Sequence, residues 1–245
     1  MPNFMNLIIK KTPTELAKAA ADLIAKRITD VLKTQDRFTI ALSGGSTPKA
    51  LHELLAKAPY VEQIPWAQLH VFWGDERYVP IDDEQSNAGM AYDTLLGHVY
   101  TPDEQIHVWK TDLEPAEAAA DYNQVLHDYF GETGPTFDLV LLGMGDDGHT
   151  LSLFPGTEVV HENSAWTAAY FLTKQDMYRL TLTAPIVNRA KCVLFLVAGP
   201  KKAAPLKEVL EGDYNPDVYP SQQIKPTDGE LIWLVDEKAA ADLNR

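Results

Sequence analysis

The chain has a single cysteine, Cys192, in 245 residues. Neither a disulfide framework nor a thiolate metal cage is therefore open to it. Cys192 lies in the apolar run CVLFLVAG, where a buried small hydrophobe is expected rather than a reactive thiol. Positive charge is short as well: 21 Lys and Arg face 35 Asp and Glu, for a formal net charge of -14. A field of that sign repels polyanions, which excludes a sequence-independent grip on nucleic acid or on an anionic membrane. Any anionic ligand has to be small and held by a local cluster of cations. No apolar run approaches the length that spans a bilayer, and MPNFMNLIIKK lacks a signal-peptide layout. The expectation is a cytoplasmic protein without nucleic-acid or membrane partners. Internal repeats and low-complexity segments are missing, as are G-x-S-x-G, H-E-x-x-H and histidines at metal-ligand spacing. A serine-esterase elbow and a dedicated metal site are thereby excluded from the expectation.

What is present alternates. NLIIK precedes Thr12-Pro13-Thr14-Glu15, a capping box with proline at the first helical position, which predicts a helix to about Gln35. FTIAL reads as a strand, SGGSTP as a loop and PKALHELLAKA as a helix capped by Thr47. LHVFW leads through GDERYVPIDDEQ to a helix, SNAGMAYDTLLGHV, capped by Ser86 or Asn87. IHVWK precedes the helix PAEAAADYNQVLHDYFG, and FDLVLLG leads into GMGDDGHTLSLFP. WTAAYF and YRLTLT follow without a long helix between them, which predicts an antiparallel excursion. KCVLFLVAG enters the helix PKKAAPLKEVLEG, and the strand ELIWLV precedes a terminal helix, DEKAAADL. This order predicts one α/β domain over residues 1–245, with a mostly parallel open sheet covered by helices on both faces. In such sheets, functional loops sit beyond the carboxyl ends of the strands.

Four loops meet that condition: SGGSTP, GDER, GMGDDGHT and GPKK. Gly44, Gly45, Ser46 and Thr47 form a strand-to-helix turn whose amides and hydroxyls suit an anion. A simple tight turn is the even alternative, and the Walker lysine is absent. GMGDDG formally satisfies the dinucleotide fingerprint, but its two aspartates would face the pyrophosphate, and Pro155-Gly156 leaves room for only a short helix. Of the seven histidines, His149 alone sits in a glycine-rich loop. Asp147, two residues earlier, would orient its imidazole or raise its basicity. Asp146 reads as turn chemistry. Two of the six arginines fall in notable places: Arg77 in GDER and Arg179 opening RLTLT. Their planar forks suit oxyanions, although a salt bridge is the common alternative. Lys201 and Lys202 open a helix, where cations oppose the dipole, so a ligand anion would help to explain them.

Taken in order, ALSGGSTPKAL, FWGDERYVP, Ser86-Asn87, GMGDDGHTLSLFPGT, RLTLT and FLVAGPKK resemble the 6-phosphogluconolactonases of the glucosamine-6-phosphate isomerase/6-phosphogluconolactonase family. The resemblance spans roughly Phe38 to Val235. It implies a modified Rossmann-like sheet and hydrolysis of 6-phospho-D-glucono-1,5-lactone in the oxidative pentose phosphate pathway, without a cofactor. It also implies a catalytic set of His149, Asp147 and Arg77. Substrate binding is expected from Gly44, Gly45, Ser46, Thr47, Asp75, Arg77, Asn87, Arg179 and Lys202. The expected ligand is a sugar-phosphate lactone, and the expected assembly is a monomer or weak homo-oligomer. One departure is Leu151, where the family usually has a small alanine after G-H-T, so altered packing behind the loop is expected. Glucosamine-6-phosphate deaminase is the nearest rival, but its signature continues with an Asn-Glu-Pro type segment where this chain has TLSLFP. A sugar-phosphate sensor without turnover is the rival from another class, and no DNA-binding helix pair accompanies the domain.

Overall fold

The computed structural model describes residues 5–244; the first four residues of the N-terminal reading lie outside that range. Ten strands form two sheets. They are β1 (Met5–Lys10), β2 (Phe38–Leu42), β3 (Leu69–Trp73), β4 (Asp75–Arg77), β5 (Ile106–His107), β6 (Leu139–Leu142), β7 (Thr167–Leu172), β8 (Met177–Leu182), β9 (Cys192–Val197) and β10 (Glu230–Asp236). Seven helices accompany them: α1 (Pro13–Val31), α2 (Ser46–Leu55), α3 (Tyr60–Gln63), α4 (Asn87–Thr94), α5 (Pro115–Phe130), α6 (Ala184–Val187) and α7 (Ala203–Glu211). The large sheet has the order β1-β10-β9-β6-β2-β3-β5, and each neighbouring pair is parallel. Its central strands β2, β6 and β9 are buried at every residue, which is why they read as unbroken apolar runs rather than alternating ones.

Chain order fixes where a ligand can enter. From β2 the chain moves to β3 and β5 on one side, then returns to place β6, β9 and β10 on the other. The loops after β2 and β6 therefore diverge to opposite faces, leaving a crevice at the carboxyl ends of these two strands. The expected antiparallel excursion is a separate sheet, β4-β8-β7. Its first strand begins one residue after β3 ends, so the small sheet grows directly from the crevice edge.

Several expected element ends shift. α1 stops at Val31, short of Gln35, and Thr12 caps it by accepting from Glu15 N at 3.1 Å. The reciprocal bond of the capping box goes to Lys11 N at 3.1 Å rather than to Thr12 N. α2 starts at Ser46 with Gly45 as its cap residue, φ 101°, so Thr47 lies inside the helix and caps nothing. IHVWK pairs over only Ile106 and His107. DEKAAADL forms turns and no helix, because Asp236 Oδ1 accepts from Ala239 N at 2.8 Å and from Gly199 N at 3.0 Å, and a segment this short does not offset the cost of helix nucleation. Cys192 is fully buried, and burial pushes its thiol up to about 11. Among the described residues, no helix is long and apolar enough to cross a membrane.

Thr12→Ala tests the cap. Loss of one N-cap acceptor costs about 1 kcal/mol, which lowers Tm by about 2–4 °C in a chain of this size. An unchanged urea midpoint would show that Thr12 caps nothing that matters to stability.

Candidate active site

β4 and β8 pair antiparallel with Asp75 opposite Thr181 and Arg77 opposite Arg179. Side chains two apart on a strand share a face. Asp75, Arg77, Arg179 and Thr181 therefore lie together on one face of the small sheet. Two arginines directly across from each other repel, and Asp75 offsets this. Arg179 Nη2 donates to Asp75 Oδ2 at 3.0 Å, with both side chains over 90% buried. Ser152 completes the unit: its hydroxyl donates to Asp75 Oδ2 at 2.7 Å and accepts from Arg179 Nε at 2.9 Å. Arg179 Nη1 donates to Gln175 Oε1 at 3.1 Å. Arg77 is held differently. Its Nη1 donates to Gln85 O at 2.8 Å, while its buried Nε has no hydrogen-bond partner among the described residues.

The other face of β4 carries Glu76, 2% exposed. Its carboxylate accepts from the backbone N–H groups of Arg77, Asn87 and Ala88, each at 2.8 Å. Burial pushes its carboxyl pKa up, opposed by those three donors. Glu76 thus ties β4 to the start of α4, whose cap is Ser86, accepting from Gly89 N at 3.0 Å. Asn87 then reaches back to donate to Asp75 O at 2.9 Å. A Cβ on Gly44 would lie 1.7 Å from Asn87 Oδ1, so the glycine is what lets the loop after β2 pass this close.

The loop after β6 supplies the ionisable pair. His149 Nδ1 lies 2.5 Å from Asp147 Oδ1, and the ring stacks on Phe154 with centroids 4.0 Å apart. The carboxylate assigns the ring proton to Nδ1 and leaves Nε2 as the acceptor. Burial would raise the Asp147 carboxyl, but the hydrogen bond from the His149 ring and its charge, with help from Lys174 at 3.3 Å, hold it well below the usual carboxylate range. A Cβ on Gly145 would fall 2.0 Å from His149 Nδ1. Gly148, φ 76°, accepts from Ser221 N at 3.1 Å and Ser221 Oγ at 2.8 Å, anchoring the far side of the turn. Leu151 adopts φ 54°, and its Cδ2 occupies space that a Cβ on Gly74 would need, 2.6 Å away. Leu151 is thus a leucine in the left-handed region, filling space beside Gly74.

These loops enclose a cavity of about 210 Å³, lined by Ser43, Gly44, Gly45, Asp75, Arg77, Asn87, Gly143, Met144, Gly145, His149, Leu151, Arg179 and Lys202. Asp147 stands behind His149. Ser46 and Thr47 do not line the cavity, because α2 has already turned them away from it. A larger cleft of about 720 Å³ runs past Lys49, Asp82, Asp83, Glu84 and Asp93. It brings no histidine to its walls and collects four carboxylates, so the smaller cavity is the candidate site. Sequence reasoning did not single out Ser43, Glu76, Ser152, Lys174 or Gln175. Glu76 stands in the quoted GDER, yet nothing local marks a carboxylate that will receive three amides from a helix start.

The family model for glucosamine-6-phosphate isomerases/6-phosphogluconolactonase matches residues 11–233. A 6-phosphogluconolactonase from a Nostoc species is 44% identical over 235 residues, covering 94% of this chain and 95% of that one. Among solved structures, the 6-phosphogluconolactonase from Trypanosoma cruzi superposes with a TM-score of 0.88 at 28% identity, over 100% of this chain and 99% of the other. A monomeric glucosamine-6-phosphate deaminase superposes with a TM-score of 0.82 at 22% identity, over 97% and 100% of the two chains. That last likeness concerns the fold alone.

Glu76→Ala tests how the site is built. It strips two buried amides and one part-buried amide of their acceptor, at about 1–3 kcal/mol for each buried unsatisfied group, so a loss of at least about 2 kcal/mol is expected in urea unfolding. Glu76→Gln, which keeps one acceptor oxygen, should lose less. Glu76→Gln also keeps the side-chain volume, so equal losses in the two variants would mean that the carboxylate's charge, and neither packing volume nor a single acceptor oxygen, is what Glu76 supplies.

Proposed function

The chain belongs to the glucosamine-6-phosphate isomerase/6-phosphogluconolactonase family, and from that premise we propose that it hydrolyses 6-phospho-D-glucono-1,5-lactone with His149 as the proton carrier. The observation that supports this reading is the Asp147–His149 pair opening onto a cavity that also holds Arg77, Arg179 and Lys202. A δ-lactone phosphate needs both halves of that arrangement: a base beside the carbonyl and cations for the remote phosphate.

The chemistry runs as ester hydrolysis. His149 Nε2 takes a proton from water as the oxygen adds to C1, and the imidazolium is stabilised by Asp147. Negative charge collects on the former carbonyl oxygen, beside the Arg77 guanidinium that lines the cavity. The C1–ring oxygen bond then breaks, and the proton held by His149 passes to the departing ring oxygen. The product is the open-chain acid, which ionises to 6-phosphogluconate. At the other end of the ligand, Lys202 and Arg179 face the phosphate. Arg179 donates to Ser152, Asp75 and Gln175, and its Nη1 also donates to Met177 Sδ at 3.8 Å, leaving one of its five N–H donors for an anion. Fixed by those partners, it costs little entropy to use.

The purified protein should accelerate opening of the phosphorylated lactone above its spontaneous rate and release no ammonia from glucosamine 6-phosphate. Ammonia release without lactone hydrolysis would assign the chain to the deaminase activity instead.

His149→Asn should lower kcat by about 10² to 10⁴-fold while leaving product affinity nearly unchanged. A general base acts only in its unprotonated form, so wild-type kcat/KM should fall at acid pH. Asp147, held below the carboxylate range, stays ionised through that region and does not cause the fall. The limb should vanish in His149→Asn. The substrate phosphate also titrates near pH 6, so a limb that persists in the variant belongs to the substrate. Wild-type turnover by folded His149→Asn would place the base elsewhere, with Asp75 the next carboxylate in the cavity.

A further inference from the structure

Adjacent strands bring adjacent loops together. β6 and β9 pair in parallel through Leu142 and Phe195, so the turn that follows β9, Pro200–Lys202, lies beside the loop that follows β6. Gly199, φ 99°, redirects the chain there, and its N–H is fixed by Asp236 Oδ1 at 3.0 Å. The consequence is a contact the two segments do not advertise separately: Lys202 Nζ lies 2.5 Å from Asp146 Oδ1. Asp146, which reads in the sequence as a turn residue, occupies the one lysine that lines the cavity. Its neighbour Asp147 is engaged from the opposite side by Lys174 of the β7–β8 hairpin tip. The two aspartates of GDDG thus serve different lysines, and only one of those lysines faces the ligand.

We propose that Asp146 is an anion gate: a tethered carboxylate that neutralises Lys202 in the empty site and must be displaced by the phosphate of substrate or product. This rests on the reading of Lys202 as a phosphate ligand. The geometry suits displacement. Lys202 is largely covered, with 22% of its side chain exposed, whereas the Asp146 side chain is 53% exposed, so the carboxylate can swing into water while the ammonium stays at the cavity wall. An exposed pair of this kind is weak, which makes it a tax on binding rather than a block.

Every anion that uses Lys202 gives up the same factor. A sugar phosphate retains its contacts along the rest of the cavity, while bare inorganic phosphate has little else to hold it and is driven to higher concentrations before it occupies the site. The same carboxylate competes for Lys202 once the lactone has opened, which hastens departure of a product that carries two anionic groups. Asp146 therefore sets how much anion is needed to occupy the site and how readily it leaves, and takes no part in proton transfer.

The test is a cycle of four proteins: wild type, Asp146→Asn, Lys202→Ala and the double variant. Each is measured for inhibition by inorganic phosphate and for the dissociation rate of 6-phosphogluconate. Asp146→Asn should tighten phosphate inhibition about two- to fivefold and slow product dissociation by a similar factor, as expected for loss of an exposed ion pair. In the Lys202→Ala background the same substitution should change neither quantity. Equal tightening in both backgrounds would reduce Asp146 to one negative charge among many in the protein's field, and the gate would be wrong. So would an unchanged Asp146→Asn. If Lys202→Ala alone leaves phosphate inhibition as it was, the assignment of Lys202 to the phosphate fails first, and the gate with it.

Discussion

Asp75 and Arg179 meet in a pair sealed from water at 3.0 Å, and the site is organised around that contact. Removing a charge from water costs several kcal/mol, and only a partner with good geometry and further hydrogen bonds offsets it. Ser152 supplies the further bonds, one to each side of the pair. Because Ser152 sits three residues after His149, the pair couples the small sheet to the loop that carries the base. Because Asp75 sits two residues after Trp73, it couples the same sheet to the end of β3. Breaking such a pair by removing one member typically costs about 3–5 kcal/mol, since the other charge is left buried alone. The energy in this arrangement thus holds three segments in register, with the arginine at the cavity wall.

Burying Arg179 changes what it can do for a ligand. A mobile surface arginine loses side-chain entropy when it closes on a phosphate, about 2 kcal/mol at most. Arg179 has already been ordered during folding. Lys202 is the opposite design: a flexible ammonium whose partner, Asp146, is exposed and replaceable. One cation is fixed by a buried carboxylate that will not leave, the other screened by an exposed carboxylate that will. In the proposed site, the two cations would let an acidic chain hold a dianion locally without a basic surface.

How much of this the sequence shows depends on the range of each interaction. FTIAL, FDLVLLG and KCVLFLVAG are legible as central strands because a strand buried on both faces needs apolar residues in succession. The four glycine-bearing loops are legible because parallel strands put their functional loops at one end. His149 beside Asp147 is visible because the pair is two residues apart. What the sequence hides is pairing at a distance. GDER contains only three strand residues, and nothing in it announces that Arg77 will stand opposite Arg179. The same holds for Glu76 with the start of α4, and for Asp146 with Lys202, 56 positions apart by their numbers. Element ends fail for local reasons: Gly45 at φ 101° starts α2 before the threonine that looks like its cap, and the Asp236 carboxylate holds the alanine-rich terminus in turns.

Leu151 shows the same division within one residue. Its identity is plain in the sequence, but its φ of 54° is not, and a left-handed leucine costs about 1–2 kcal/mol. The structure pairs that cost with a gain. The side chain fills space beside Gly74, the residue between β3 and β4, and it is 7% exposed. Gly74 is the hinge from which the small sheet departs, with its N–H donating to Leu42 O at 2.9 Å and its carbonyl accepting from Leu182 N at 2.7 Å. A smaller residue at 151 would leave that hinge without its packing partner, and the hinge sets the direction of Asp75. The leucine therefore acts on the site through the backbone: strain in the loop that carries His149 is exchanged for a fixed starting point of the strand that carries Asp75 and Arg77.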